Sequence, residues 1–252
     1  SAGAMIDYWL APAFSGPVTL DILDAKGVVL RSFSSEAVRE MASMEPGMRQ
    51  LVTVRSGTPR LPRNPGMNRF TWDLTLPGAW SASAAQSGRS GPTIVPGKYQ
   101  VRVTAGNITT TQPLAVQIDP RAAADGITLA DLQAQLTHNV KVRDLVSEVN
   151  RLVATLDDQR RRLATAGAAS ADTLKGTNAL RATIVTPAIR YSKPELQSHV
   201  QYLYSLTSQA DQRIGRDATE RYVTLRKELD VTMARARALL GASVIDKTRA
   251  VP

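Results

Sequence analysis

The metal-ligating nitrogen and thiolate side chains of this 252-residue chain reduce to two histidines, His138 and His199, because cysteine is absent. A zinc site needs three or four ligands at close spacing, and neither histidine has a second histidine or a carboxylate at such a spacing. His138 lies two residues from both Leu136 and Val140, off the apolar stripe of its segment, and is expected to face solvent. His199 sits beside Val200, at the edge of its own stripe. The lack of cysteine also excludes disulfides and cysteine nucleophiles. No G-x-S-x-G, H-E-x-x-H or phosphate-cradling glycine loop occurs. Asp157-Asp158 is a carboxylate pair, but neighbours on a helix point about 100° apart and do not readily share a substrate. They read better as partners for Arg160-Arg161-Arg162. Asp21 and Asp24 flank a hairpin and raise the question of weak calcium binding, against which the turn itself is the better reading. The residues therefore name no catalytic, cofactor or metal site.

Aromatics are the remaining chemistry. All three Trp and all three Phe fall within residues 1–120, and exposed rings on a sheet can stack on sugars. Phe70, Trp72 and Leu74 alternate, as do Tyr99, Val101 and Val103, which points them inward to a core. Trp9 and Trp80 are freer. Trp80 borders a stretch rich in Ser, Ala and Gly and is the one candidate ligand contact. Tyr202 and Tyr204, two apart on a helix, cannot both face one core, so one of them is expected to meet another surface.

Elements must position these residues. Val18–Phe33, Gly66–Leu74 and Pro96–Thr104 alternate apolar with polar and are bounded by turn residues, the pattern of a half-buried antiparallel sheet. Met5–Leu10 adds a first strand. Asp24-Ala25-Lys26-Gly27 closes a hairpin, and Ala105-Gly106-Asn107 separates Tyr99–Thr104 from Ile108–Ile118. About seven strands in 1–120 read as a β-sandwich with Leu20, Ile22, Phe70, Trp72, Tyr99, Val101, Val116 and Ile118 in its core. Within 34–64, Glu36–Met44 reads as a short helix and Gln50–Arg55 as a strand; Trp80–Val95 reads as a mobile loop. From Thr128 the apolar period turns helical. One long helix is expected to end near Gly167, with a short one in 168–189 interrupted by Gly176 and Pro187. A third is capped by Ser192 and stopped by Gly215, and a fourth starts at Asp217 and ends at Gly241. The expected architecture is β plus α: an antiparallel sandwich at 1–120 and an antiparallel helical bundle at 126–246.

Composition narrows the class. An apolar fraction of 43% supports a core in each half, and the length fits two domains. The net charge of +9 sits mainly after residue 120. It comes with no groove-reading motif, so interspersed solvated charge is preferred to nucleic-acid binding. No apolar run approaches a membrane span. The opening Ser-Ala-Gly-Ala, without an initiator Met and running at once into a strand, reads as part of a longer or processed polypeptide.

The order of the hairpin, G-M-N-R-F-T-W-D-L (Gly66–Leu74) and P-G-K-Y-Q-V-R-V (Pro96–Val103) resembles the immunoglobulin-like module of flagellar hook-capping proteins. That module shows D-A-x-G, then G-x-N-x-x-x-W-D-G, then P-G-x-Y; here Leu74 stands where the module has glycine. The W-D-L form, the Asp119-Pro120-Arg121 exit and the Q-Y-L-Y-S-L helix (Gln201–Leu206) resemble a narrower group. These are the C-terminal regions of large bacterial exported proteins with an N-terminal sialidase-like or sortilin-like β-propeller, often called glycosyl hydrolases. The resemblance covers most of the chain except 34–64 and 168–189. It implies a periplasmic or secreted, non-enzymatic accessory region whose partner is the propeller of its own parent protein. Any hydrolase site would then lie in that propeller. A glycan-binding module using exposed sandwich aromatics is the alternative, with a glycan or protein ligand, and an independent hydrolase is the third reading.

Overall fold

In the computed structural model, residues 3–36, 59–83 and 89–246 are described. The helix expected at Glu36–Met44 and the strand at Gln50–Arg55 fall almost wholly outside them. The chain divides into two compact units, residues 1–78 with 83–130, and 79–82 with 131–252.

Among the described residues the first unit holds eight strands: β1 (Ala4–Leu10), β2 (Val18–Leu23), β3 (Val29–Ser34), β4 (Gly66–Trp72), β5 (Thr75–Pro77), β6 (Ser90–Thr93), β7 (Gly97–Ala105) and β8 (Ile108–Val116). Every pairing is antiparallel. β1 pairs with β4; β3, β2, β7 and β8 form a four-stranded sheet in that order; β5 and β6 make a small ribbon. Period-2 alternation sends Ile6, Tyr8 and Leu10, with Phe70 and Trp72, into one core with Val18, Leu20, Ile22, Phe33, Tyr99 and Val101. Phe33 meets Phe70 at 4.6 Å between ring centroids, and Trp72 meets Tyr99 edge-on at 6.4 Å. Val116 and Ile118, expected in the core, are only half-buried: Val116 ends β8, an edge of the four-stranded sheet among the described residues, and Ile118 lies beyond it.

Local chemistry explains the turns. Asp24 Oδ1 accepts from the backbone N–H of Lys26 and of Val28, while Gly27 takes φ +83°. Asn68, buried at 3% exposure, donates to the carbonyls of Asn64 and Gly66 and accepts from the Asn64 N–H, which fixes the approach to β4. Beyond Trp72 the strand ends rather than running on through Leu74, because Leu74 adopts φ +58°. The segment expected as a mobile loop carries β6. Gly91 and Gly78 let its backbone approach β5, since a Cβ at Gly91 would fall on the Pro77 carbonyl oxygen. Asp119-Pro120-Arg121 is more than an exit. Asp119 caps a short helix, α1 (Pro120–Ala124), by accepting from the Arg121 N–H at 2.8 Å, with Pro120 in the first turn.

The second unit is helical. α2 (Leu129–Thr165) is followed by a 3-10 turn at Ala168–Ser170, α3 (Ala171–Ala182), α4 (Leu196–Ser208), α5 (Arg216–Leu240) and α6 (Ala242–Asp246). Val142, Leu145, Val149, Leu152 and Leu156 of α2 share one apolar core with Leu196, Val200 and Leu203 of α4 and Leu225, Leu229 and Met233 of α5. Three expectations need correction. Gly176 does not interrupt α3: it lies within the helix, where a Cβ would stand 3.0 Å from Leu239 Cδ1, so the small residue admits close packing against α5. Ser192 does not cap α4, whose first residue is Leu196; Pro194 keeps Lys193 out of helical geometry, and the Ser192 hydroxyl donates to the Ile189 carbonyl instead. Gly215 does not end α4, which stops at Ser208; it precedes α5 with extended backbone. Gly241, at φ +88°, does end α5. No helix among the described residues is long and apolar enough to cross a membrane.

Candidate functional site

Most ionisable groups gathered by the fold are engaged with one another. Arg31, almost wholly buried, reaches from β3 to Asp73 at 3.0 Å and to Thr75, while the Trp72 indole N–H also donates to the Thr75 carbonyl. This cluster clamps the corner after β4. Asp21 accepts from Ser32 and Arg102 across the sheet, and Asp24 is occupied by its own turn, so the hairpin carboxylates are spent locally. Asp157 pairs with Arg160 at 2.9 Å and, from α3, with Arg181 at 2.6 Å; Asp158 pairs with Arg161 and Arg162. Burial raises the Asp157 pKa, but the two guanidinium partners overcome it and leave it below the usual carboxylate range. Glu148 and Asp230 share Arg226. Among the described residues, no three His, Cys, Asp or Glu side chains come together as a metal site.

His138 is not at the surface. Only 7% exposed, it meets Tyr222 edge-on at 6.2 Å, and its Nε2 has no hydrogen-bond partner among the described residues. Burial first, and Lys141 second, hold its pKa below the ordinary value. Counting apolar residues alone missed it. The α2 positions Leu132, Gln135, Asn139, Val142, Val146, Val149, Val153 and Leu156 alternate spacings of three and four, and two of these are amides. Gln135 Nε2 donates to the carbonyls of Thr207 at 2.9 Å and Ala210 at 2.7 Å, and Asn139 Nδ2 also donates to Thr207. They satisfy the carbonyl end of α4. His199 is half-buried. Tyr204 packs on the helical core and burial pushes its hydroxyl up to about 12, while Tyr202 is exposed.

Trp80 belongs to the helical unit. Its backbone N–H donates to Ser147 Oγ at 2.9 Å, its backbone carbonyl accepts from Asn150 Nδ2 at 2.8 Å, and the Arg151 guanidinium lies 5.5 Å from its ring centroid. Trp80 is half-buried and its ring lies against a cation, so it is held against α2 rather than standing as a free platform. Trp9 differs. On the outward face of β1 it is 62% exposed, with Met5 at 62% and its cross-strand neighbour Met67 at 70%; the Asp7–Arg69 pair at 2.7 Å lies between them.

Beside this face the first unit contains a trough of about 470 Å³ between β1 on one side and β7 and β8 on the other. Its shape follows from strand count. Among the described residues a two-stranded sheet shares its core with a four-stranded one, and no described strand lies over the core-side residues of β8. Ile108, Thr110, Gln112 and Leu114 share a face with Ala105, Val103, Val101 and Tyr99 through the β7–β8 register, and all four line or border the trough. Comparison with family models, with curated proteins and with solved structures finds no match for this chain.

Proposed function

We propose that this chain is a non-catalytic accessory and interaction region of a larger exported protein. In this reading an immunoglobulin-like sandwich is followed by an antiparallel helical bundle, and the natural partner is a β-propeller N-terminal to it in the same polypeptide, in the periplasm or outside the cell. The observation that carries the reading is the exposed face of Met5, Trp9 and Met67 beside an open apolar trough: such surfaces mark interaction sites. The charged groups support it too, because the principal carboxylates are engaged in pairs that hold elements together rather than converging on a cavity. Nucleic acid and membrane spans have no part in this reading. Its test is association of the chain with the preceding part of its parent polypeptide, together with assay against glycosides. Association without turnover is expected; turnover of any glycoside by this chain alone would overturn it.

Recognition of glycans by sheet aromatics is the second reading, and one observation favours it: the open indole of Trp9 beside the Asp7 carboxylate. A glycan array separates the two. Binding that disappears in Trp9→Ala would establish the glycan module, and a blank array keeps the accessory role.

A further inference from the structure

We infer that the trough of the strand unit takes an extended, uncharged polypeptide segment of about seven residues as a third strand beside β1. The inference rests on the reading of this chain as an interaction region and names the chemistry its partner presents. β1 pairs with β4 along one edge, and among the described residues no second strand pairs with it. The N–H and C=O groups of alternate β1 residues therefore point away from β4, along the rim of the trough. Such a row of donors and acceptors matches a backbone in extended form. A strand laid there would also cover the part of β8 that the two-stranded sheet leaves open, where Ile108 is 67% exposed although it shares the core-side face of Ala105. At about 3.3 Å per residue, the seven residues of β1 offer roughly 23 Å of edge.

Charge decides the occupant's composition. Among the described residues Asp7 is the one charged side chain in the lining, and it is engaged by Arg69 in a two-pronged pair at 2.7 Å. β8, nine residues of sequence ITTTQPLAV, carries no charge at all. A lysine or glutamate facing into this trough would lose water and find no counter-charge among the described residues that line it. Edge strands that stay unpartnered usually carry charges that repel pairing; on β1 the one charge, Asp7, is neutralised by Arg69, and β8 has only Pro113 in that role. The site thus selects for uncharged side chains on the inward-facing positions and for a free backbone.

The probe is an acetylated, amidated heptapeptide alternating Thr and Val, titrated into the intact chain while backbone amide resonances are followed. Saturable binding with protection of β1 amides is expected. The same heptapeptide with its three valines replaced by proline, which lack N–H groups, should bind at least tenfold more weakly. Thr110→Glu, an exposed position on the trough side of β8, should weaken binding at least tenfold. Thr111→Glu, exposed on the opposite side of the same strand, should leave it within twofold. Absence of binding, equal binding of the proline peptide, or indifference to Thr110→Glu would overturn the inference. So would β1 edge amides already protected without peptide, since the chain itself would then fill the trough. A chain that still associates with its parent polypeptide while rejecting the heptapeptide loses this inference and keeps the accessory role.

Discussion

Leu74 shows how a single residue can hold a conformation that suits another. Its φ of +58° is left-handed, which costs a non-glycine residue about 1–2 kcal/mol. Its side chain recovers part of that by packing half-buried on the strand-unit core. Leu74→Gly removes the strain but also the packing, and it loosens the unfolded chain, so the change in stability should stay within about 1 kcal/mol. Leu74→Ala keeps the strain and loses most of the packing. Chemical denaturation should therefore rank glycine above alanine at this position; the reverse order would show that Leu74 is not strained. His138 provides a second residue-scale prediction. Because its folded pKa is depressed, the fold favours the neutral ring, and the contribution is fully present above the ordinary histidine value of about 6.5. It is lost as pH falls below that value toward the depressed one. Lys141 on α2 and Tyr222 on α5 are the groups that face it. Stability of the helical unit should drop between about pH 7 and pH 5, and His138→Gln should flatten that drop in thermal unfolding measured across the range.

At the scale of elements, two glycines of similar appearance in the sequence have opposite prospects. Gly176 sits within α3, and its added methyl would meet the far end of the Leu239 side chain at 3.0 Å. Helix propensity favours alanine by about 1 kcal/mol, and Leu239 can swing aside, so Gly176→Ala should be neutral or slightly stabilising. At Gly91 the added methyl meets the Pro77 backbone carbonyl, which cannot move without breaking the β5–β6 ribbon. Gly91→Ala should cost at least about 2 kcal/mol, within the range of overpacked sites. Urea midpoints of the two variants check both signs. The element-level reading of the sequence succeeded where local turn chemistry ruled, as at Asp24 and Gly27. It failed at Ser192, where a proline follows two residues on, and at Gly215, because α4 ends at Ser208 and Gly215 precedes α5 instead.

Over the whole molecule, a net charge of +9 raises the question of polyanions. Many of the arginines are already paired with carboxylates, including Arg102, Arg160, Arg181 and Arg226. Binding to duplex DNA should therefore be of the non-specific kind, in the range of about 10⁻⁴–10⁻⁶ M at physiological salt, and fall steeply as salt rises. Competition between DNA duplexes of different sequence should show no preference; a preferred site would contradict the proposed role.

What the chain determined by itself is its division into strands and helices, since alternation by two and by three to four residues depends only on backbone geometry. It also determined the inward set of Leu20, Ile22, Phe70, Trp72 and Val101, because one strand face must leave water. Tertiary structure alone decided the rest. Gln135 and Asn139 stand on the stripe of α2 spaced by three and four, but the acceptors they meet at the carbonyl end of α4, some seventy residues away, and the Tyr222 ring of α5 against His138 are set by the tertiary structure. Trp80 became a fixed residue because Ser147, Asn150 and Arg151 converge on it from α2. Among the described residues the trough follows from two strands set against four, a count of neighbours rather than a property of any segment. Periodicity says which side of an element avoids water, but only the arrangement of its neighbours says what, if anything, covers that side.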